Sequence, residues 1–156
     1  CFRRSLDLTN SYHTGQFVNL PEFDLNCPYP KWEWKKYDMI RWGYPYQAGG
    51  MVYKTSFFKH MINVSNFDLP NYLESSMNEK RNEWGKDYII CYKKSPIVNV
   101  SINRVQNNVL NRGGRDINYS PKELNDLFVS GKIINHSELQ DMNNNCEFVE
   151  IRLSFI

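Results

Sequence analysis

The side chains best suited to chemistry in this 156-residue sequence fall in two stretches. Arg41 to Gly50 (RWGYPYQAGG) interleaves Trp42, Tyr44 and Tyr46 with glycines and a proline. Aromatic faces on a loop can stack on the C–H faces of sugar rings, and the 19 asparagines of the chain supply amides for sugar hydroxyls. The same rings can equally build a core, because Gly43, Pro45, Gly49 and Gly50 show only that the backbone turns here. The second stretch, Asn111-Arg112-Gly113-Gly114-Arg115, sets two guanidinium groups around a diglycine turn. Successive backbone N–H groups flanked by arginine forks form an anion site suited to a phosphate. A plain surface turn explains the same residues equally well. The sequence holds no GxGxxG, Walker loop, HExxH or GxSxG. His13, His60 and His136 stand at unrelated spacings, and His60 falls inside an apolar-faced helical stretch where a packing or surface role is expected. Cys1, Cys27, Cys91 and Cys146 form no C-x-x-C pair, so reduced thiols are expected rather than a zinc knuckle or a redox dithiol.

These residues need elements to hold them. Cys1 to Leu8 reads as a strand, and Thr9 to Pro30, with Gly15 and three prolines, as a long surface loop. Trp32-Glu33-Trp34 alternates at period two, as a short strand does. Met51 to Lys54 reads as a strand entering a helix capped by Thr55 or Ser56, with Phe57, Phe58, Met61 and Ile62 on its core face. Asn71-x-x-Glu74 has capping-box spacing, and Leu73, Met77 and Trp84 continue a helix that Gly85 ends. Tyr88 to Tyr92 reads as a buried strand, and Ile97 to Ile102 as another. Ser120-Pro121-Lys122-Glu123 combines an N-cap serine, a proline at the first helical position and a glutamate at the third. Leu124, Leu127 and Phe128 follow, Gly131 closes the helix, and Phe148 to Phe155 alternates as a last strand.

Composition bounds the function. The 23 aromatics make up 15% of the chain, 41% of residues are hydrophobic and 23% charged, which suits a globular protein, and the alternation of expected strands and helices makes its class mixed α/β. Nineteen basic against 17 acidic residues leave +2, with no run of five or six like charges, so a nucleic-acid partner is not expected. No apolar run approaches the ~20 residues needed to span a bilayer. Sequons at Asn63, Asn99, Asn118 and Asn135 carry little weight in so asparagine-rich a chain. The sequence opens without an initiator methionine or an apolar leader, and is expected to be a fragment whose residues 1–156 make one domain.

Several motifs in order resemble a known family. Trp32-x-Trp34, Trp42-Gly43-Tyr44-Pro45 with Gly50, Pro70-Asn71-x-x-Glu74, Ile97-Val98-Asn99, Asn103-x-Val105-Gln106 with Asn111-Arg112-Gly113, and Ser120-x-x-x-Leu124-Asn125 with Gly131 together resemble the C-terminal, acceptor-side half of bacterial GT-A-fold, family-2-like glycosyltransferases. The likeness covers most of Cys1 to Gly131. It implies transfer of a sugar from a nucleotide-sugar donor to a glycan or other hydroxyl acceptor, in the cytoplasm or at a membrane surface. It also implies a divalent cation, Mn or Mg, held by a D-x-D motif. This sequence has no D-x-D, which the family pattern would place upstream of Cys1 in a donor half. After Tyr44-Pro45 the family often has Asp-Gly-His where this chain has Gly49-Gly50-Met51, so a catalytic or metal role for that segment is in doubt.

By the same resemblance, Glu74 matches the acidic residue near a helix start that serves inverting enzymes as general base. A capping box with Asn71 explains Glu74 without catalysis. The implied acceptor contacts are Trp42, Tyr44, Tyr46, Gly49, Gly50 and Asn71, and Arg112, with Arg115, would face the donor phosphates. The alternative reading is a noncatalytic carbohydrate-binding module using its aromatics as platforms.

Overall fold

The structure, a computed structural model, describes every residue except Ile40, 105–111, Asp141, Asn143 and Asn144. Its described residues form a mixed α/β protein with three α-helices and one two-stranded sheet. They pack as two compact units, one of Cys1–Leu6 with Leu20–Ile97, the other of Asp7–Asn19 with Val98–Ile156.

In the first unit, β1 (Lys31–Glu33) pairs antiparallel with β2 (Tyr88–Ile90), Trp32 opposite Ile89. Alternation buries Trp32 and Ile89 and leaves Tyr88 and Ile90 facing out. The expected buried strand over Tyr88 to Tyr92 is therefore shorter and one-sided. Trp34, expected in the first strand, instead begins a 3-10 turn, Trp34–Lys36. Around Trp32 the rings of Phe23 and Trp42 pack edge to face at 5.8 and 5.2 Å, and the buried Arg4 guanidinium lies 6.0 and 5.7 Å from the two indoles.

Helix α1 (Thr55–Val64) and helix α2 (Pro70–Glu79) meet over a second core of Tyr46, Met61, Leu73 and Met77, with Tyr53, Phe57, Phe58, Ile62 and Trp84 around it. The face expected from Phe57, Phe58, Met61 and Ile62 is the one that packs. Met61 and Met77 expose no surface, worth roughly 2 kcal/mol each in burial. The caps differ from expectation. Thr55 and Ser56 lie inside α1, whose extended N-cap is Lys54; α2 starts at Pro70, behind Leu69, with no side-chain cap. The Asn71–Glu74 capping box does not form, because both residues already sit in the first turns of the helix. A 3-10 turn, Arg81–Trp84, follows α2 and ends at Gly85 in the left-handed region.

In the second unit, α3 (Pro121–Val129) carries the predicted signals intact: the Ser120 side chain accepts from the Glu123 N–H at 3.0 Å, and Gly131 follows at φ +88. The expected strands over Cys1 to Leu8, Met51 to Lys54, Ile97 to Ile102 and Phe148 to Phe155 are not strands. Three of these four segments make single bridges, Ser5 with Tyr92, Val100 with Val149 and Phe155 with Ile134. Alternation gave them extended backbone, and each bridge lacks the neighbouring pairs that would make a ladder. No helix among the described residues is long and apolar enough to cross a membrane.

Candidate functional site

The loop 41–50 is held against α2 by side chains that reach its backbone. Asn78, with no exposed surface, accepts from the Tyr46 N–H at 3.2 Å and donates to the Tyr46 carbonyl at 2.5 Å and to the Glu74 carbonyl at 2.7 Å. It thus takes the place of a neighbouring strand for Tyr46. One turn earlier, Glu74 Oε1 accepts from the Ala48 N–H at 2.6 Å. On the other side the Tyr53 hydroxyl both accepts from the Gln47 N–H and donates to the Gln47 carbonyl, each at 2.8 Å. Three consecutive loop backbones, at Tyr46, Gln47 and Ala48, are fixed in this way. Asn78 is the residue that sequence reasoning missed. Its one signal was its position, four residues after Glu74 and beside Met77.

Electrostatics follow the packing. Burial, and then the charge of Glu74, raises Tyr44, with Ser75 and Asn78 acting in the opposite direction. Burial, and then Asp87, pushes Tyr46 up to about 12, and burial raises Tyr53 further against the Gln47 contact. These phenols stay protonated at neutral pH.

The residues expected to contact an acceptor divide by burial. Trp42 and Tyr46 are each 4% exposed, their rings packed into the two cores, so neither presents a face for stacking. Tyr44 and Asn71 are half-buried. Gly49 and Gly50 are covered by Arg3, whose Nη1 donates to the Gly49 carbonyl at 3.3 Å. A Cβ on Gly50, at φ +73, would stand 2.4 Å from the Arg3 side chain. Glu74 remains partly exposed beside them, with one carboxylate oxygen bonded to the loop.

Arg112 belongs to the second unit, where its Nη1 donates to the Tyr12 carbonyl at 3.0 Å. Glu150 occupies the amides of the adjoining turn: its Oε2 accepts from the Asp116 and Ile117 N–H groups at 2.9 Å, and its Oε1 from the Tyr12 hydroxyl at 2.5 Å. These donors lie just beyond Asn111 to Arg115, the stretch expected to suit a phosphate, and hold a carboxylate of the same chain. Asn111, Val105 and Gln106 lie outside the described residues. No group of three or more His, Cys, Asp or Glu among the described residues could hold a metal ion, so no ligand set for the expected divalent cation is found there.

Comparison of the chain with family models, curated proteins and solved structures gives no match.

Proposed function

We propose that this chain is the acceptor-side half of a bacterial glycosyltransferase of the GT-A fold, with Glu74 as general base. The reading rests on the ordered motifs from Trp32 to Gly131 and on one structural observation. The Glu74 carboxylate is anchored through one oxygen to the Ala48 N–H, at the edge of the loop 41–50, while its side chain stays partly exposed. Anchoring fixes the direction of the group, which proton transfer requires.

In the proposed reaction the acceptor hydroxyl oxygen attacks the anomeric carbon of the nucleotide-sugar. The hydroxyl proton passes to Glu74, and the glycosidic electron pair leaves with the nucleotide phosphate. A divalent cation held by the donor half would neutralise charge on that phosphate. The alternative of a carbohydrate-binding module has weaker support, since Trp42 and Tyr46 are packed inside.

The test is sugar transfer from a panel of nucleotide-sugars by the complete gene product, comparing the natural protein with Glu74→Gln. Glutamine keeps an oxygen for the Ala48 N–H, so folding should hold, while kcat should fall about 100- to 10,000-fold. Transfer at the natural rate by the variant would remove Glu74 from catalysis, and no transfer from any donor would remove the activity.

A further inference from the structure

The first unit contains a cleft of about 420 Å³, within the range of roughly 300–1,000 Å³ typical of small-molecule sites. Among its lining residues the aromatic Tyr53, Phe57 and Tyr88 keep exposed surface, and the charged side chains are Lys54 and Lys86. Glu74 is not among its lining residues.

The polar atoms of the walls are largely committed. The Trp34 indole N–H donates to the Lys86 carbonyl at 2.6 Å, and the Tyr53 hydroxyl is engaged with Gln47. A polyhydroxylated ring would find few partners here and would leave its own hydroxyls unsatisfied, at a cost for each. A flat apolar ring has no such penalty and gains from edge and face contacts with aromatic walls.

Charge narrows the class. Two lysines line the cleft, while Asp87, whose charge acts on Tyr46, is paired with Lys35 at 2.5 Å, so the field favours an anion. Neither lysine side chain is needed for the local fold: Lys54 caps α1 through its backbone, and Lys86 holds Trp34 through its carbonyl.

We propose that this cleft binds a small ligand made of a flat aromatic ring carrying one anionic group, a carboxylate or a phosphate. This goes beyond the transferase reading and does not depend on it, since it concerns binding at residues other than Glu74.

The experiment is titration of the full chain by calorimetry and by tryptophan fluorescence, with four probes. Indole-3-acetate and phenyl phosphate each carry ring and charge, indole carries the ring alone, and inorganic phosphate the charge alone. We expect at least one of the two ring-bearing anions to saturate a single site, indole to bind about tenfold more weakly, and inorganic phosphate not to bind. The relative affinity of the two anions identifies carboxylate or phosphate as the preferred group. The double variant Lys54→Ala/Lys86→Ala should weaken the preferred anion about tenfold and leave indole unchanged. Val52→Glu, at an exposed lining position, should do the same by adding a negative charge. Equal affinity for indole and indole-3-acetate together with no binding of phenyl phosphate, no binding of either ring-bearing anion, or anion binding untouched in both variants would overturn the proposal. Sugar transfer is read separately, so failure of either proposal leaves the other standing.

Discussion

The Asn78 side chain makes three hydrogen bonds to main chain, two of them to Tyr46 in the loop and one to Glu74 in its own helix. Asn78→Ala leaves the Tyr46 N–H and carbonyl buried without partners, each loss costing about 1–3 kcal/mol. We expect a drop on the order of 3 kcal/mol in urea unfolding, and a change below ~0.5 kcal/mol would show that water replaces the side chain. Glu150 makes a prediction of a different kind. Burial pushes its carboxyl up, but the Tyr12 hydroxyl and the N–H groups of Ile117, Asp116 and Arg115 outweigh burial and hold it below the ordinary value of 4.5. The unfolded chain therefore takes up this proton first as pH falls. The carboxylate stabilises the fold fully above about pH 4.5, and that contribution disappears as pH drops through the lower folded value. Glu150→Gln should be less stable at neutral pH and lose less on acidification, as followed by thermal melts between pH 7 and pH 2. Parallel curves for the two proteins would sink this account. Trp42 and Tyr46 mark the limit of reading at this scale. Their types and their turn-rich surroundings are the same for a ligand platform and for a core ring, and only packing against Trp32, Phe57 and Trp84 distinguishes them.

Among the elements, α3 was the most legible because everything that specifies it lies within twelve residues. Ser120→Ala removes the acceptor for the Glu123 N–H and should cost about 1 kcal/mol, while Ser120→Asp should keep it. Gly131→Ala meets no atom within 4 Å, so its cost, also about 1 kcal/mol, comes from backbone conformation at φ +88 alone. Chemical denaturation of the three variants checks both, and a neutral Gly131→Ala would mean that the loop relaxes out of the left-handed region. Gly43 contrasts with Gly131, since a Cβ there would stand 2.2 Å from the carbonyl oxygens of Tyr37 and Asp38. The start of α2 was legible in position but wrong in its contacts. Asn71 and Glu74 have the spacing of a local box, whereas the actual partner of Glu74 is Ala48, 26 residues away. Local spacing cannot register a loop that folds back. The strand-like segments failed for a related reason: period two describes how one chain alternates, while a ladder needs a second chain in register, and Val149 finds only Val100.

At the scale of the whole molecule, neither unit is a continuous stretch of sequence. The second unit joins Asp7–Asn19 to Val98–Ile156, with the first unit's Leu20–Ile97 between them in sequence. Its fully buried aliphatic side chains among the described residues, Leu8 and Val18, both come from the shorter piece. Residues 98–156 expressed alone should therefore melt without a cooperative transition, despite keeping α3 and its cap. A sharp calorimetric transition from that piece would show that Leu8 and Val18 are dispensable. The same threading sets an order of events on the ribosome. Tyr12 is synthesised 138 residues before its partner Glu150, on the order of ten seconds at ordinary elongation rates. Through that interval Leu8 and Val18 have emerged with nothing to cover them. The nascent chain thus offers a holding chaperone a short apolar segment around Leu8 and Val18, and release becomes productive only once the Val98–Ile156 piece of the same unit has left the tunnel.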